Sequence, residues 1–423
     1  MKERDIGRES GQITATTLPN LPAAVLYELC AYLWPRDISY LVSTARNLAF
    51  KDENGRSNLV GNGLSFFRPT KPLPAAVVED LIARHLPPCR ALQILDLSSA
   101  ELTPSILLTL GRLAAVNGVF QCVSSLSLWD NNLGSEGCLA LAEALGQGGF
   151  HSHLRGIYIR ANQITCDSDD DVGMAIDEAI GRLAVGGARD SVGVLCQVLK
   201  TGVPSALLTS LSLAQNNLGH LSAMYIGDAL AAPALKRLRK LDLHLNRLGD
   251  RGVASLAEGI SAGGGMPCLD ELYLGYNKIG DAGARAVAGC LEGMVVLREL
   301  DLASNAIGNE GALAFAMHLS DGGRDEERIS HVRPRLLLET LDLKENRIGD
   351  DGACAFRDFL ACAGEHESGM GGGRTEEEKI GLYCPKLLNI FLDQNRAIRA
   401  RGRNALQVLQ TTRGIRCMEG ADW

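Results

Sequence analysis

The sequence predicts an α/β solenoid, a horseshoe in which each unit adds one parallel strand to a concave face and one helix to a convex face. Three observations predict it. The phrase LxxLxLxxNxL recurs along most of the chain, its copies hold a near-constant spacing, and a second phrase of helical character follows the Asn. Self-similarity at a period of about 20–50 residues marks units that bury a core only by stacking on their neighbours.

The phrase stands complete in LTSLSLAQNNL (208–218), LRKLDLHLNRL (238–248), LDELYLGYNKI (269–279), LRELDLASNAI (297–307) and LETLDLKENRI (338–348). Earlier copies are VSSLSLWDNNL (123–133) and LRGIYIRANQI (154–164). LQILDLSSAEL (92–102) has Ala100 in place of the Asn, and LLNIFLDQNRA (387–397) closes the series, which makes nine copies. Leu95, Leu126 and Ile157 fall 31 residues apart, and Leu211, Leu241, Leu272 and Leu300 follow at 30, 31 and 28. After the Asn come LGSEGCLALAEAL, LGDRGVASLAEGI, IGDAGARAVAGCL, IGNEGALAFAMHL and IGDDGACAFRDFL.

Each part has a physical task. In LxL the leucines alternate with exposed residues, as a strand with one buried face requires. The Asn side chain bonds the backbone of the turn that leaves the strand, and successive Asn residues stack as a ladder. Gly permits a tight turn, the Asp, Asn or Ser after it is placed to cap its helix, and LAxxL sets Ala and Leu at helical spacing toward the strands. Helices roughly 10 Å wide against strands about 4.8 Å apart bend the stack, with the strands inside the arc.

These residues resemble the ribonuclease-inhibitor-like class of leucine-rich repeats over about 92–410. The resemblance implies a leucine-rich-repeat solenoid. It does not choose among the inhibitors, immune sensors, scaffolds and Ran GTPase-activating proteins of that class.

Bulk properties bound the function. The 423 residues are 46% hydrophobic and 22% charged, with a net charge of −8, which argues against general affinity for nucleic acid or an anionic membrane surface. The opening MKERDIGRES lacks the apolar core of a secretory signal, and no run of 18 apolar residues occurs. The 12 cysteines form no CxxC pair and there is no Asn-X-Ser/Thr sequon. The expectation is reduced thiols in a cytoplasmic or nuclear protein.

The predicted organisation is a disordered stretch at 1–17, a helical segment at 18–66, a connector at 67–91, the repeat domain at 92–410 and a frayed tail at 411–423. Insertions near 165–207, 320–335 and 363–385 break the period. The first has apolar periodicity for two helices, and whether it is a repeat with a degenerated strand stays open. In the segment 18–66 the order Leu21-Pro22, Val25, Leu29, Tyr32-Leu33, Pro35, Asp37-Ile38, Leu41, Arg46 resembles an F-box. The resemblance implies docking on the Skp adaptor of a cullin–RING ubiquitin ligase, with Leu21, Pro22, Leu29, Pro35, Ile38 and Leu41 at positions the family uses for its core or for docking. Trp34 departs from the family, as does Asn47-Leu48 where an aromatic is common after the Arg. The repeats here are also Asn-type, where F-box receptors usually carry Cys-type repeats. The alternative is a helical pair that covers the first repeat's open edge.

The concave face is the predicted partner-binding surface. Its exposed strand positions present Trp129, Tyr158, Arg160, Asp242, His244, Glu271, Tyr273, Tyr276, Glu299 and Asp301, followed by Asp342 and Lys344. Aromatic residues ringed by charge dominate protein interfaces, and aromatics are only 5% of this chain. The carboxylates of the later repeats suit a partner with a basic patch. Asp167-Ser168-Asp169-Asp170-Asp171 with Glu178 imitates a calcium loop, but the glycine comes one position late, at Gly173. His151-Ser152-His153 has no third ligand at metal spacing, and GMGGG (369–373) lacks the strand and the Lys-Ser/Thr of a phosphate loop. No GxSxG, HExxH or kinase phrase occurs. The sequence therefore predicts a non-catalytic protein binder without metal or cofactor: a ligase substrate receptor, a scaffold or inhibitor, or, third, a Ran-type GTPase activator.

Overall fold

The computed structural model describes residues 66–67, 93–117, 120, 122–147, 150, 153–165, 190–201, 207–320, 335–361 and 384–417. Among these residues ten parallel strands form one sheet in strict chain order: β1 (Phe66–Phe67), β2 (Ile94–Asp96), β3 (Ser125–Ser127), β4 (Gly156–Tyr158), β5 (Ser210–Ser212), β6 (Lys240–Asp242), β7 (Glu271–Tyr273), β8 (Glu299–Asp301), β9 (Thr340–Asp342) and β10 (Asn389–Phe391). Leu95, Leu126, Ile157, Leu211, Leu241, Leu272, Leu300, Leu341 and Ile390 stand opposite one another across the sheet. This is the column read from the spacing, and each member is at most 3% exposed. A side-chain period of two allows no other register, because a one-residue slip would turn every leucine to solvent.

The return path of each repeat is a helix: α1 (Pro104–Asn117), α2 (Gly134–Gly146), α3 (Ser191–Lys200), α4 (His220–Ala231), α5 (Gly249–Ala262), α6 (Asp281–Cys290), α7 (Asn309–Leu319), α8 (Asp350–Ala361) and α9 (Ala400–Arg413). Each packs on the next, apart from the strands. In α5 the buried residues include Val253, Leu256, Ala257 and Ile260, the one-sided spacing of an amphipathic helix. The core is thus a thin aliphatic layer between sheet and helices, continuous along the array.

The Asn ladder forms as expected. Asn246 Nδ2 donates to the Leu243 carbonyl at 2.9 Å and to the Leu213 carbonyl of the preceding repeat at 3.1 Å, while its Oδ1 accepts from the Leu218 amide at 3.1 Å. The same pattern recurs at Asn131, Asn162, Asn216, Asn277, Asn305, Asn346 and Asn395. The amide therefore satisfies backbone groups of two repeats at once, which buried carbonyls and amides demand. The residue before each Asn sits in the left-handed region, Leu245 at φ 55° and Tyr276 at φ 57° among them.

Four features differ from the sequence reading. First, the cap does not serve its own helix. Asp250, at the start of α5, accepts from the Gly280 and Gly283 amides at the start of α6, at 2.7 and 2.9 Å. Asp281 does the same for Gly308 and Gly311 at α7, Asn309 for Gly349 and Gly352 at α8, and Asp350 for Arg399 and Gly402 at α9. The second glycine of the phrase is explained by this contact: a Cβ on Gly283 would lie 2.7 Å from Asp250 Oδ1.

Second, β1 pairs with β2, so the sheet begins at Phe66, at the boundary set for the helical segment and its connector. Third, the open question over 165–207 is resolved: β4 pairs directly with β5, leaving no place for an additional strand. The insertion ends in α3, which packs between α2 and α4 and is the helix of the β4 repeat. Asp190 caps α3 by accepting from the Gly193 amide at 2.5 Å and also accepts from the Ser222 hydroxyl at 2.7 Å. Fourth, the expected frayed tail is anchored at its start. Arg416 bridges Asn389 in parallel, and Ile415 and Cys417 are buried.

The F-box-like positions Leu21, Pro22, Leu29, Pro35, Ile38 and Leu41 lie outside the described residues. So do the 1–17 stretch, the calcium-loop imitation at 167–178, the GMGGG run and most of the insertions near 320–335 and 363–385.

Candidate functional site

The face of the sheet opposite the helices carries the side chains that flank each buried leucine, and over the repeats of β6 to β9 they form two clusters that lie side by side. Lys240 Nζ lies 2.7 Å from Glu271 Oε2 and 4.5 Å above the centre of the Tyr273 ring. The Tyr273 hydroxyl donates to Glu271 and Glu299, each at 3.1 Å. Strand-to-strand spacing near 4.8 Å brings the same position of adjacent repeats into contact, so one tyrosine links the carboxylates of β7 and β8. The Lys240 ammonium, directly bonded, holds the Glu271 carboxyl below the usual carboxylate range. Partial burial, then the charges of Glu299 and Glu271, push the Tyr273 phenol up, so the hydroxyl stays a donor.

A second cluster lies where the chain leaves the strands. Asp242 accepts from the Ser212 hydroxyl at 2.9 Å and from the His244 amide at 3.2 Å. The His244 ring stands 5.0 Å from that of Tyr276, tilted by 55°, and its Nδ1 lies 3.5 Å from Asp301 Oδ2. Glu345 accepts from the Ser304 hydroxyl at 2.5 Å and from the Tyr276 hydroxyl at 3.5 Å. Tyr276 is 44% exposed; its left-handed backbone turns the ring out of the strand line. Further on, Lys344 Nζ lies 4.4 Å over the Phe391 ring and 3.8 Å from Asp342.

The structure thus brings Asp242, His244, Glu271, Tyr273, Tyr276, Glu299 and Asp301 together. It leaves Trp129, Tyr158 and Arg160 apart from them, on the near side of β5. Trp129 is 40% exposed. The Tyr158 ring folds over Gly156, where a Cβ would meet it at 2.7 Å, and Arg160 Nε donates to Gln215 at 3.1 Å. Between the two groups β5 offers only Ser210 and Ser212, followed by Ala214 and Gln215. Sequence reading missed Lys240, Gly275, Ser304 and Glu345. Lys240 was legible as the position that is Glu271 and Glu299 in the next copies. Glu345 was legible as the position of Tyr276.

Buried cysteines act as apolar filler rather than nucleophiles. Burial pushes the Cys138, Cys290, Cys384 and Cys417 thiols up to about 12. Among the described residues no group of three His, Cys, Asp or Glu side chains is placed to hold a metal ion, and no helix there is long and apolar enough to cross a membrane.

The register, the Asn ladder and the alternating helices define the chain as a leucine-rich-repeat solenoid. The profile of the leucine-rich repeat family matches residues 121–142, 236–257, 265–288, 295–316 and 337–356. Among solved structures, the chain is similar to internalin C2 of Listeria monocytogenes at 16% identity and a TM-score of 0.35, over 74% of this chain and 91% of that one. It is similar to the internalin inlF of the same organism at 14% identity and 0.35, over 92% and 95%. A third likeness, at 15% identity and 0.35 over 76% and 74%, is to an octameric complex of Latrophilin 3, Unc5D and FLRT2, whose FLRT2 part is a leucine-rich repeat.

Proposed function

We propose that the chain is a non-catalytic protein-binding receptor that holds its partner on the concave face. The observation that carries this reading is the pair of clusters over β6–β9. Side chains from four consecutive repeats make up one surface, aromatic rings included, without contributing to the leucine core behind it. Such a surface is preorganised, so little side-chain entropy is lost on docking, and an exposed tyrosine amid charge, as Tyr276 is, is a residue type that anchors interfaces. Residues 207–320 hold most of the face on strands β5 to β8 and the turns that leave them, which suits recognition better than a loop-borne site does.

The finer reading is a substrate receptor of a cullin–RING ubiquitin ligase of the cytosol or nucleus, built on the ribonuclease-inhibitor-like repeat. Residues 18–66 bind the Skp adaptor through Leu21, Pro22, Leu29, Pro35, Ile38 and Leu41, and the repeats present the substrate. Its support is the F-box-like order of those residues. One observation favours a second reading, a scaffold or inhibitor with an N-terminal cap: β1 extends the described sheet beyond β2, so the chain that follows residues 18–66 runs beside the first repeat, where a cap would act. Co-purification of full-length protein with the Skp adaptor separates the two. A complex lost on Leu29→Asp or Ile38→Asp supports the ligase receptor; no complex from folded protein leaves the scaffold.

A further inference from the structure

The concave face of β6–β9 carries six carboxylates, Asp242, Glu271, Glu299, Asp301, Asp342 and Glu345. Two of them have a lysine: Glu271 has Lys240 at 2.7 Å and Asp342 has Lys344 at 3.8 Å. In both places the arrangement has three parts, a carboxylate, an ammonium and an aromatic ring of the next repeat under that ammonium, Tyr273 at 4.5 Å and Phe391 at 4.4 Å. Around Tyr276 two of the three parts recur. The ring is there and exposed, Glu345 touches its hydroxyl, and His244 contacts both the ring and Asp301. Among the described residues no lysine or arginine completes it. There Asp242, Glu299 and Glu345 are bonded to hydroxyls or backbone amides, and Asp301 faces His244 and the Ala303 amide.

We infer that the partner presents a basic segment whose arginine or lysine side chains dock over Tyr276 among Asp242, Glu299, Asp301 and Glu345. This rests on the reading of the concave face as the binding surface and names the chemistry of its occupant. The argument is charge complementarity. Four carboxylates without an arginine or lysine among the described residues, spread over strands β6 to β9, span about 14 Å at a strand spacing near 4.8 Å, too wide for one cation and suited to two or three side chains of an extended polypeptide. Guanidinium groups fit best, since the planar fork bonds a carboxylate through two N–H groups and stacks on an aromatic face.

The test uses full-length protein and three labelled 12-residue peptides, one alternating Arg and Ala, one alternating Glu and Ala, and one of Ser and Ala, each with a benzophenone. The Arg peptide is expected to bind in anisotropy titrations, more weakly as salt rises, and to crosslink to β6–β9. Glu299→Gln with Glu345→Gln lowers its affinity at least about fivefold, Tyr276→Ala about threefold, and Tyr276→Phe has little effect, since the ring and not the hydroxyl holds the cation. Glu136→Gln and Glu258→Gln, on the helix side, leave it within about twofold. Equal loss from the helix-side variants would overturn the inference, as would displacement of the peptide by spermine at the same concentration of charge. Concave-face crosslinks from the Ser or Glu peptide and none from the Arg peptide would overturn it while leaving the concave face as the binding surface. Crosslinks confined to the helices would remove both.

Discussion

His244 and Asp301 belong to repeats two strands apart, yet the imidazole Nδ1 lies 3.5 Å from the carboxylate. The residue between them on the intervening repeat is Gly275. A Cβ there would stand 2.8 Å from His244 Nδ1 and 3.1 Å from Asp301 Oδ1. A glycine in the middle repeat therefore decides whether the outer two communicate. Gly275→Ala is expected to cost about 1 kcal/mol, at the low end for an added methyl group, because the histidine side chain can swing aside. Combined with His244→Ala, the same substitution should cost almost nothing. Equal shifts of the urea midpoint in both backgrounds would contradict the contact.

The cross-repeat cap gives a prediction with a spatial signature. Asp281→Ala should destabilise by about 0.5–2 kcal/mol, as loss of a helix cap does. Faster amide exchange should appear at Gly308 and Gly311, at the start of α7, since Asp281 Oδ1 accepts from both at 2.7 and 2.8 Å. Exchange that quickens only within α6, the helix that contains Asp281, would show that the cap is local after all.

Asn277 is fully buried; its amide donates to the Leu243, Leu274 and Gly275 carbonyls and its Oδ1 accepts from the Leu248 amide. Removing it leaves several backbone groups of two repeats without partners, at roughly 1–3 kcal/mol for each buried group left unsatisfied. Asn277→Ala is expected to lower the denaturation midpoint more than Asn305→Ala, because Asn305 is only partly buried and water replaces some of its bonds. The reverse order in a urea titration would refute that ranking.

Leu272 and Tyr273 are neighbours on opposite faces of β7, and Leu272 is 3% exposed. Leu272→Ala should cost roughly 2–5 kcal/mol, as core truncations do. Tyr273→Ala should cost less while weakening any partner on the concave face. Equal losses in thermal melts would mean that the two faces had been exchanged.

Tyr273 also makes a pH prediction. Its folded-state pKa is raised, chiefly by burial and then by Glu299 and Glu271, from an ordinary value of 10.0. A raised value means that the folded state favours the protonated phenol, so this contribution is whole below about pH 10 and declines as the pH rises beyond it. Tyr273→Phe cannot ionise, so its stability should fall less steeply between pH 10 and 11 than that of the wild type. Parallel alkaline curves would show that the hydroxyl is not held between the two carboxylates.

Much of the fold was legible without coordinates. The leucine column, the face presented by Tyr273 and Glu299 and the role of the Asn all depend on residues within one 11-residue phrase, and a side-chain period of two allows each only one orientation. Other features had no local sign. Asp281 caps a helix 27 residues on, a pairing visible only when two repeats are stacked. Phe66–Phe67 extends the sheet by two residues, too few to carry a motif. Ile415 and Cys417 followed a helix and read as a tail, but the last repeat has an open side that they cover.

The sequence by itself determined the repeat, its register and the two faces, because alternation and the Asn turn are properties of neighbouring residues. Only the tertiary structure decided which side chains meet across repeats. Lys240 on Tyr273, His244 past Gly275 to Asp301 and Tyr276 to Glu345 join positions 33, 57 and 69 residues apart. Stacking at a few ångströms per strand makes those positions neighbours, and the local phrase does not encode that distance.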